Sequence, residues 1–237
     1  MIRELLPSWA VSAEAYGDPP GARLHPAEEA VVARAVASRR REFTTVRHCA
    51  SLALGELGVP YRPLLPGVRG APGWPAGVVG SMTHCRGYRA AVVARTRDAV
   101  ALGIDAEPGE PLPRGLLDVV ALPGERDRVL GLLDARPGVR WDRLLFSAKE
   151  AVYKAWFPLT GQLLDFHEAD VVFDAGRGGF RAALLVPGPV LDGREVRAFE
   201  GRWAAGSGLL VTAVAVPQPA SATSRASSAR EVTPNLL

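Results

Sequence analysis

The segment FSAKEAVYKAW, Phe146 to Trp156, places a glutamate and a lysine one helical turn apart. At 100° per residue, Glu150 and Lys154 lie on one side of a helix, opposite an apolar stripe of Trp141, Leu145, Ala148, Val152 and Ala155. An i, i+4 pair on a solvated helix contributes only about 0.2–0.5 kcal/mol and needs no further role. The pair is, however, flanked by three aromatic residues that indicate a cleft or a packed core: Phe146, Tyr153 and Phe157.

A second acidic motif ends the apolar run LGIDAEP, Leu102 to Pro108. Successive strand residues point to opposite faces, so Asp105 and Glu107 direct two carboxylates to one side and Ala106 faces the other. Mg²⁺ takes octahedral oxygen ligands, usually a few carboxylates with waters and substrate phosphates. The pair is therefore half of a magnesium site that Glu150 would complete, or else an acidic strand end that faces water.

The elements that hold these acids follow from the hydrophobic pattern of the chain. Pro26 at a first helical position starts one helix, which runs through AVVARAVA. A second helix ends at Gly58, where a C-terminal cap belongs. The segment from Pro60 to Pro75 is rich in proline and glycine, so we predict a loop that carries Arg62 and Arg69.

Three short strands are predicted next, as neighbours, with the sequences GVVGSMTH, YRAAVVAR and AVALGIDAE. The segment from Leu116 to Leu133 is predicted to be helical with a break at Pro123 and Gly124, and the helix of FSAKEAVYKAW follows. From Asp170 onward, DVVFD, FRAALLV, EVRAFEGRWAA and GLLVTAVAV indicate an antiparallel sheet. This order of helices, strands, helices and strands favours two similar α/β halves.

The composition is that of a soluble globular protein, with 237 residues of which 48% are hydrophobic and 22% charged. This length allows one fair-sized domain or two small subdomains that share a core. No apolar run approaches the roughly 20 residues that cross a bilayer, and the N-terminus lacks the apolar region of a secretory signal. We therefore expect a cytoplasmic protein without a membrane partner, and a disordered tail over residues 217–237.

The two cysteines, Cys49 and Cys85, each follow a histidine, so a shared zinc site has to be considered. Adjacent residues diverge on a helix and point to opposite faces of a strand, so neither His-Cys pair readily chelates one ion. Two cysteines are also too few for a disulfide scaffold, and we expect free thiols.

The net charge of +3 is a mild excess that does not require a nucleic acid partner. Several arginines are clustered in SRRREF, Ser38 to Phe43, which is either a solvated helix end or a local anion site. A nucleic-acid binder built on this run would lack base-stacking aromatic residues near it, so we expect no nucleic acid partner.

Together the two acidic motifs resemble the paired signatures of the 4′-phosphopantetheinyl transferases, in which a G-I/V-D-x-E strand end meets a W/F-S/T-x-K-E-x-x-x-K helix. This chain has GIDAE followed by FSAKEAVYK. The resemblance covers residues 39 to 216 and includes RRREFTTVRHCA, PGVRGAPGWPAGVVGSMTHC and WDRLLFSAKEAVYKAW. It is strongest to the longer, monomeric Sfp-type branch, with its enterobactin-synthase-associated and actinobacterial members.

The fold that this resemblance implies is α+β, with two similar α/β subdomains related by a pseudo-twofold axis. Residues 1–108 would form the first subdomain, which includes the GIDAE strand end. Residues 109–216 would form the second, which includes the FSAKEAVYK helix. Coenzyme A would lie in the groove between them, where ligands commonly bind, and the protein would be a monomer.

The resemblance also implies a reaction, in which coenzyme A donates its 4′-phosphopantetheine arm to a serine of an apo acyl or peptidyl carrier protein. Adenosine 3′,5′-bisphosphate is the leaving group. Asp105, Glu107 and Glu150 would hold Mg²⁺, or Mn²⁺, against the pyrophosphate. Glu150 would accept the serine proton, directly or through a metal-bound water. Lys154 would contact the phosphates or protonate the leaving group, and Lys149 would reach them from the side.

Further contacts to coenzyme A are implied for residues that match the family's positions: Arg39, Arg47, Arg69, Ser81, Thr83 and His84. The family's loop often reads KG-x-x-G-K/R-P, whereas Pro66 stands here at the first lysine position, so Arg69 would carry more of the phosphate contact. The carriers would belong to polyketide, nonribosomal peptide or fatty acid synthases. The alternative is a non-catalytic module that binds coenzyme A, but all three carboxylates and the lysine are present.

Overall fold

The computed structural model describes residues 1–219. Its α-helices are α1 (Pro26–Glu29), α2 (Ala37–Glu56), α3 (Leu116–Val120), α4 (Pro123–Ala135) and α5 (Trp141–Thr160). Its strands are β1 (Val11–Ala15), β2 (Val78–Cys85), β3 (Tyr88–Arg95), β4 (Ala99–Pro108), β5 (Ala169–Asp174), β6 (Gly179–Leu184), β7 (Val190–Leu191), β8 (Arg194–Glu195), β9 (Ala198–Gly206) and β10 (Leu209–Pro217). None of the helices described is long and apolar enough to cross a membrane. Of the predicted tail, 217–237, only the first three residues are described, and Pro217 still belongs to β10.

The N-terminal half is a three-stranded antiparallel sheet in the order β1-β3-β2 with α2 packed on one face. Ala50, Ala53 and Leu54 of α2 are fully buried beneath this sheet. Gly58 follows the helix with a φ of 71°, the left-handed conformation that the sequence predicts for its C-terminal cap. Strand β1 is not predicted by the sequence analysis.

Helix α1 is much shorter than predicted. Pro26 begins it and the His25 side chain caps it, but after one turn the chain continues as a 3-10 turn over Ala30–Val32. Only Glu28 and Val32 are buried in this stretch. A helix that buries so little apolar surface gains too little from packing to extend further.

The C-terminal half is an antiparallel sheet in the order β4-β10-β9-β6-β5, as predicted for the segment after Asp170. Helix α5 covers one face of it, and the whole predicted apolar stripe is buried there: Trp141, Leu145, Ala148, Val152 and Ala155. Each half thus combines a twenty-residue helix with an antiparallel sheet. The predicted α+β fold is confirmed.

Strand β4 is not the neighbour of β3 that the sequence predicts, although β2 and β3 do pair. Its backbone ladder runs to β10, and its other edge faces hydroxyl groups of β2. The Oγ atom of Ser81 accepts the backbone N–H of Ile104 at 3.0 Å. The Oγ1 atom of Thr83 accepts that of Ala106, also at 3.0 Å. Side-chain hydroxyls therefore replace ladder bonds where the two sheets meet.

Strand β4 is buried on both faces. Leu102, Ile104 and Ala106 pack with β3 and β10 in a core between the sheets, and the opposite face of β4 meets α5. On that opposite face, a Cβ added to Gly103 would lie 1.9 Å from the carbonyl oxygen of Ala151. Helix α5 therefore rests directly on the backbone of β4, which brings the acids of both motifs together.

We expect Gly103→Ala to destabilise the protein by at least about 2 kcal/mol, because the new methyl group overlaps helix backbone that cannot rotate away. The measurement is urea denaturation. The matched control is Gly131→Ala in α4, where an added Cβ meets nothing within 4 Å and should stabilise the helix by about 0.5–1 kcal/mol. A wild-type unfolding midpoint for Gly103→Ala would contradict this contact.

Candidate active site

A cleft of about 500 Å³ lies where the two halves meet, between α2 and α5 and over β2. The proline- and glycine-rich loop, residues 60–75, contributes one of its walls. Eight of the site residues that the sequence predicts line this cleft: Arg39, Arg47, Arg69, Ser81, Thr83, His84, Glu150 and Lys154. Charged groups from both halves of the chain therefore share one cavity.

Lys154 connects this cleft to the strand acid Asp105. Its Nζ atom donates to Oδ1 of Asp105 at 2.7 Å and to the carbonyl oxygen of Ile104 at 3.1 Å. The same Oδ1 accepts the hydroxyl of Thr83 at 3.2 Å. Oδ2 of Asp105 is buried and has no hydrogen-bond partner among the described residues. A buried carboxylate oxygen without a partner is unfavourable and indicates that a cation or donor belongs beside it.

Glu150 faces the cleft from α5, one turn before Lys154. It also lines a smaller neighbouring pocket of about 190 Å³. Burial raises the pKa of its carboxyl group, the charge of Lys154 lowers it, and the charge of Asp105 raises it, for a net increase. A cleft carboxylate with a raised pKa is suited to accept a proton from a substrate.

Glu107, the third acid, is paired with a residue that the sequence analysis does not single out. Nη1 of Arg143 donates to Oε2 of Glu107 at 2.8 Å. Burial and the charge of Asp105 raise the pKa of the Glu107 carboxyl group, while Arg143 lowers it. Within residues 1–219, no three acidic, histidine or cysteine side chains form a group that could hold a metal ion. As arranged here, the three predicted ligands therefore do not converge on one point, although Asp105 raises the pKa of both glutamates.

The chemistry of these acids nevertheless fits a hard divalent cation. Carboxylate oxygens are the preferred protein ligands of Mg²⁺ and suit Mn²⁺ as well. Oδ2 of Asp105 lacks a partner, and the charge of Asp105 raises the pKa of both Glu107 and Glu150. A cation placed among them would satisfy the free oxygen and relieve this repulsion.

Arg39 and His84 meet in the cleft, one from α2 and one from β2. Nη1 of Arg39 lies 2.6 Å from Nε2 of His84. Because a guanidinium only donates, Nε2 accepts and the ring proton is on Nδ1. Burial and the charge of Arg39 lower the pKa of His84, and Glu42 opposes them. These effects favour the neutral imidazole, and in this tautomer Nδ1–H is its donor.

Arg47 is a buried cation, with a relative exposure of 8%. Its guanidinium lies 3.5 Å from the centre of the Phe43 ring, and Nη2 donates to the carbonyl oxygen of Leu64 at 3.3 Å. Burial lowers the pKa of Arg47 to about 10. Its Nε has no hydrogen-bond partner among the described residues. A buried guanidinium with an unused donor indicates an anionic ligand in the cleft.

Arg69 is exposed in the loop and has a φ of 54°, a left-handed conformation. This conformation costs roughly 1–3 kcal/mol for a residue with a side chain and is common at ligand-binding loops. Pro66, at the position of the family's lysine, forms a β-bridge with Pro72. The proline therefore shapes the base of the turn that presents Arg69.

Comparison with known proteins gives agreement over nearly the whole chain. The sequence profile of the 4′-phosphopantetheinyl transferase N-terminal domain matches residues 27–94, and that of the 4′-phosphopantetheinyl transferase superfamily matches residues 101–205. The 4′-phosphopantetheinyl transferase Svp of Streptomyces mobaraensis is 62% identical over 223 residues, which are 93% of this chain and 91% of Svp. The chain belongs to the 4′-phosphopantetheinyl transferase family.

Two further relatives of this transferase come from other actinobacteria. The 4′-phosphopantetheinyl transferase PptT of Mycobacterium tuberculosis is 50% identical over 207 residues, 85% of this chain and 90% of PptT. The 4′-phosphopantetheinyl transferase Npt of Nocardia iowensis is 49% identical over 223 residues, 91% of this chain and 99% of Npt. The resemblance that the two acidic motifs suggested is thus confirmed.

Lys149 of this transferase is not in the cleft, contrary to its predicted contact with the phosphates. Its side chain is almost fully buried and pairs with Glu125 of α4 at 2.7 Å. Nζ also donates to the carbonyl oxygens of Phe166 and, at 2.9 Å, Ala169. The three ammonium donors are therefore all used inside the C-terminal half. Residues one apart on a helix diverge by 100°, so Lys149 turns inward where Glu150 faces the cleft.

The three aromatic residues of α5 have separate surroundings. Tyr153 and Phe157 line the cleft, with their ring centres 5.9 Å apart. Phe146 packs against the C-terminal core, as Tyr153 also does, but it does not line the cleft; its ring centre lies 5.9 Å from that of Phe166. Core packing of at least one of the three, which the sequence analysis allows, is thus observed.

Trp74 is a cleft residue that the sequence analysis missed. It comes from the loop, and a Cβ added to Gly80 would lie 2.7 Å from its indole ring. A loop has no hydrophobic periodicity from which the position of its tryptophan could be predicted. A glycine within a strand, however, indicates that another group approaches the strand closely. Arg143 was missed too, although its position seven residues before Glu150 puts it on the same helix face.

We expect Lys149→Met to lower the free energy of unfolding by about 3–5 kcal/mol, because it leaves the Glu125 carboxylate buried without its cation. Urea denaturation measures this. The control is Arg126→Gln, which removes an exposed pair with Asp118 and should change stability by less than about 1 kcal/mol. If Lys149→Met has wild-type stability but binds coenzyme A more weakly, Lys149 contacts the phosphates as the sequence predicts.

Proposed function

We propose that this protein transfers the 4′-phosphopantetheine arm of coenzyme A to a serine of apo acyl or peptidyl carrier proteins. The observation that carries the proposal is the single cleft in which the arginines of α2 and the loop face Glu150 and Lys154 of α5. Cations suited to a phosphorylated nucleotide and a carboxylate suited to take a proton are thus on opposite walls of one cavity. Family membership supports the same reaction.

We assign a divalent cation, Mg²⁺ or Mn²⁺, to Asp105, Glu107 and Glu150. When bound there, the cation would neutralise negative charge on the pyrophosphate. The free Oδ2 of Asp105 supports this assignment. Glu107 would have to share or leave its bond to Arg143 in order to take part.

The protein's own groups account for the movement of the proton and the orientation of the phosphates. The serine oxygen forms a bond to the phosphorus of the phosphopantetheine group, the pyrophosphate P–O bond breaks, and adenosine 3′,5′-bisphosphate leaves with the electron pair. Glu150 accepts the serine proton. Lys154 uses two of its three N–H donors on Asp105 and Ile104, which leaves one for a phosphate oxygen.

Phosphate binding falls to the cations of the other wall. Arg39, Arg47 and Arg69 supply guanidinium donors, and neutral His84 supplies Nδ1–H. Thr83 already donates its hydroxyl hydrogen to Asp105, so of the two β2 hydroxyls Ser81 is the better donor to coenzyme A. We do not include Lys149 in this set, because its donors are used elsewhere.

We further propose that the protein acts as a monomer in the cytoplasm. The resemblance to the longer, monomeric branch of the family supports a monomer. Cys49 and Cys85 are free thiols, which suits a reducing compartment. The carriers would be domains of polyketide, nonribosomal peptide or fatty acid synthases.

Incubation of the protein with an apo carrier domain, coenzyme A and Mg²⁺ is expected to add the mass of one phosphopantetheine group to the carrier. Intact-protein mass spectrometry measures this. The control is a carrier whose acceptor serine is replaced by alanine. If carriers from all three synthase classes keep their apo mass, the proposed reaction is wrong.

We expect Glu150→Gln to lower kcat by about 10²–10⁴-fold, because the amide keeps the shape of the side chain but cannot take the serine proton. Initial rates of holo-carrier formation measure the effect. The matched control is Glu56→Gln, an exposed residue at the far end of α2. Normal turnover by Glu150→Gln would remove Glu150 from this role.

Tyr153→Ala is expected to raise KM for coenzyme A or for the carrier several-fold, because it removes a ring that lines the cleft. Phe146→Ala, the comparison variant, removes a ring that packs against the same core as Tyr153 but does not line the cleft, so both KM values should stay unchanged. Unchanged KM values for both substrates in Tyr153→Ala would place this ring outside the binding site.

A further inference from the structure

The face of α5 that meets β4 carries two cations, and each is paired with one acid of the strand. Lys154 binds Asp105 at 2.7 Å, and Arg143 binds Glu107 at 2.8 Å. Glu150 lies between the two cations along the helix. The proposed reaction uses four of these five residues and leaves Arg143 without a role.

Arg143 is held in place by backbone as well as by Glu107. Nη2 donates to the carbonyl oxygen of Pro111 at 2.8 Å, and Nε donates to that of Glu110 at 3.3 Å. Both acceptors lie in the segment that leaves β4. The side chain has a relative exposure of 15%, so the pair is largely shielded from solvent. This guanidinium is therefore fixed next to Glu107 and is not an incidental surface contact.

A fixed guanidinium at this position opposes the binding of a second cation. It occupies one oxygen of Glu107 and adds a positive charge beside the acids that a divalent ion would use. The acids as arranged do not form a three-ligand group among the described residues, and Arg143 supplies a physical reason. The phosphates of a bound substrate would restore the negative charge that Arg143 offsets.

We propose that Arg143 competes with the divalent cation for Glu107, so that the protein alone binds the cation weakly and binds it tightly only with a phosphorylated ligand. This inference rests on the metal site of the proposed function. It assigns Arg143 as a positioning residue, because Arg143 acts through Glu107 and is not one of the residues that line the cleft.

The test is a titration of the protein with Mn²⁺ in the absence of coenzyme A, followed by electron paramagnetic resonance of the free ion. Arg143→Gln is expected to bind Mn²⁺ about tenfold more tightly than the wild type, because one nearby positive charge is gone. Arg86→Gln is the control: Arg86 pairs with the exposed Glu110 side chain, and its loss should leave the affinity within about twofold. Equal or weaker Mn²⁺ binding by Arg143→Gln overturns the proposal.

A double-mutant cycle tests whether the effect passes through Glu107. In a Glu107→Gln background, Arg143→Gln should increase Mn²⁺ affinity by much less than in the wild type. An equal increase in both backgrounds contradicts competition for Glu107. If Arg143→Gln does not fold, Arg143→Lys serves instead. A lysine cannot hold three acceptors in one plane, so tighter binding than wild type supports the proposal and equal or weaker binding overturns it.

The titration contains neither carrier nor coenzyme A, so it is independent of turnover. If the wild type modifies the carrier but Arg143→Gln binds Mn²⁺ no more tightly than the wild type does, only this inference is wrong. If no carrier is modified but Arg143→Gln binds Mn²⁺ more tightly than the wild type does, only the proposed reaction is wrong.

Discussion

The close contact between α5 and β4 is the constraint on which the candidate site depends. Gly103 has no side chain, and only for that reason can the helix backbone at Ala151 approach the strand so closely. The contact sets the distance from Lys154 to Asp105 and orders the acids of the two motifs along a common boundary. A larger residue at position 103 would push α5 away from β4 and lengthen the distances between the acids of the two motifs.

Charge balance within the site follows from that contact. The charge of Asp105 raises the pKa of both Glu107 and Glu150, and the charges of Arg143 and Lys154 on α5 partly offset this effect. Across the cleft lie Arg39, which is 3.9 Å from Glu42, and Arg47, whose Nε has no hydrogen-bond partner among the described residues. The cleft thus brings cations of α2 and the loop together with Glu150 and Lys154 of α5, and Asp105 is joined to it through Lys154.

Much of this site could be predicted from the sequence, because helical and strand periodicity place side chains on faces. The common side of Asp105 and Glu107, the inward stripe of α5 and the outward Glu150 all follow from periods of 2 and 3.6 residues. Pairing partners do not follow from periodicity. Lys149 was expected at the phosphates because it adjoins Glu150, and its partner Glu125 lies in another helix.

The fold shows the same division between local and long-range information. The ends of α2 and α5 are marked by glycines with positive φ, Gly58 and Gly161. The place of β4 in the second sheet is not marked locally, because its neighbour β10 lies about a hundred residues further along the chain. The short length of α1 likewise follows from how few of its residues are buried, and helix propensity does not reveal burial.

The hydroxyl bonds between β2 and β4 have a consequence for how ligands enter. Ser81 and Thr83 fasten one sheet to the other directly beneath the cavity, and the core between the sheets lies behind them. A seam of this kind resists hinge opening of the two lobes. The turn that carries Arg69 contains no buried residue, so this part of the cleft wall can move while the two sheets stay joined.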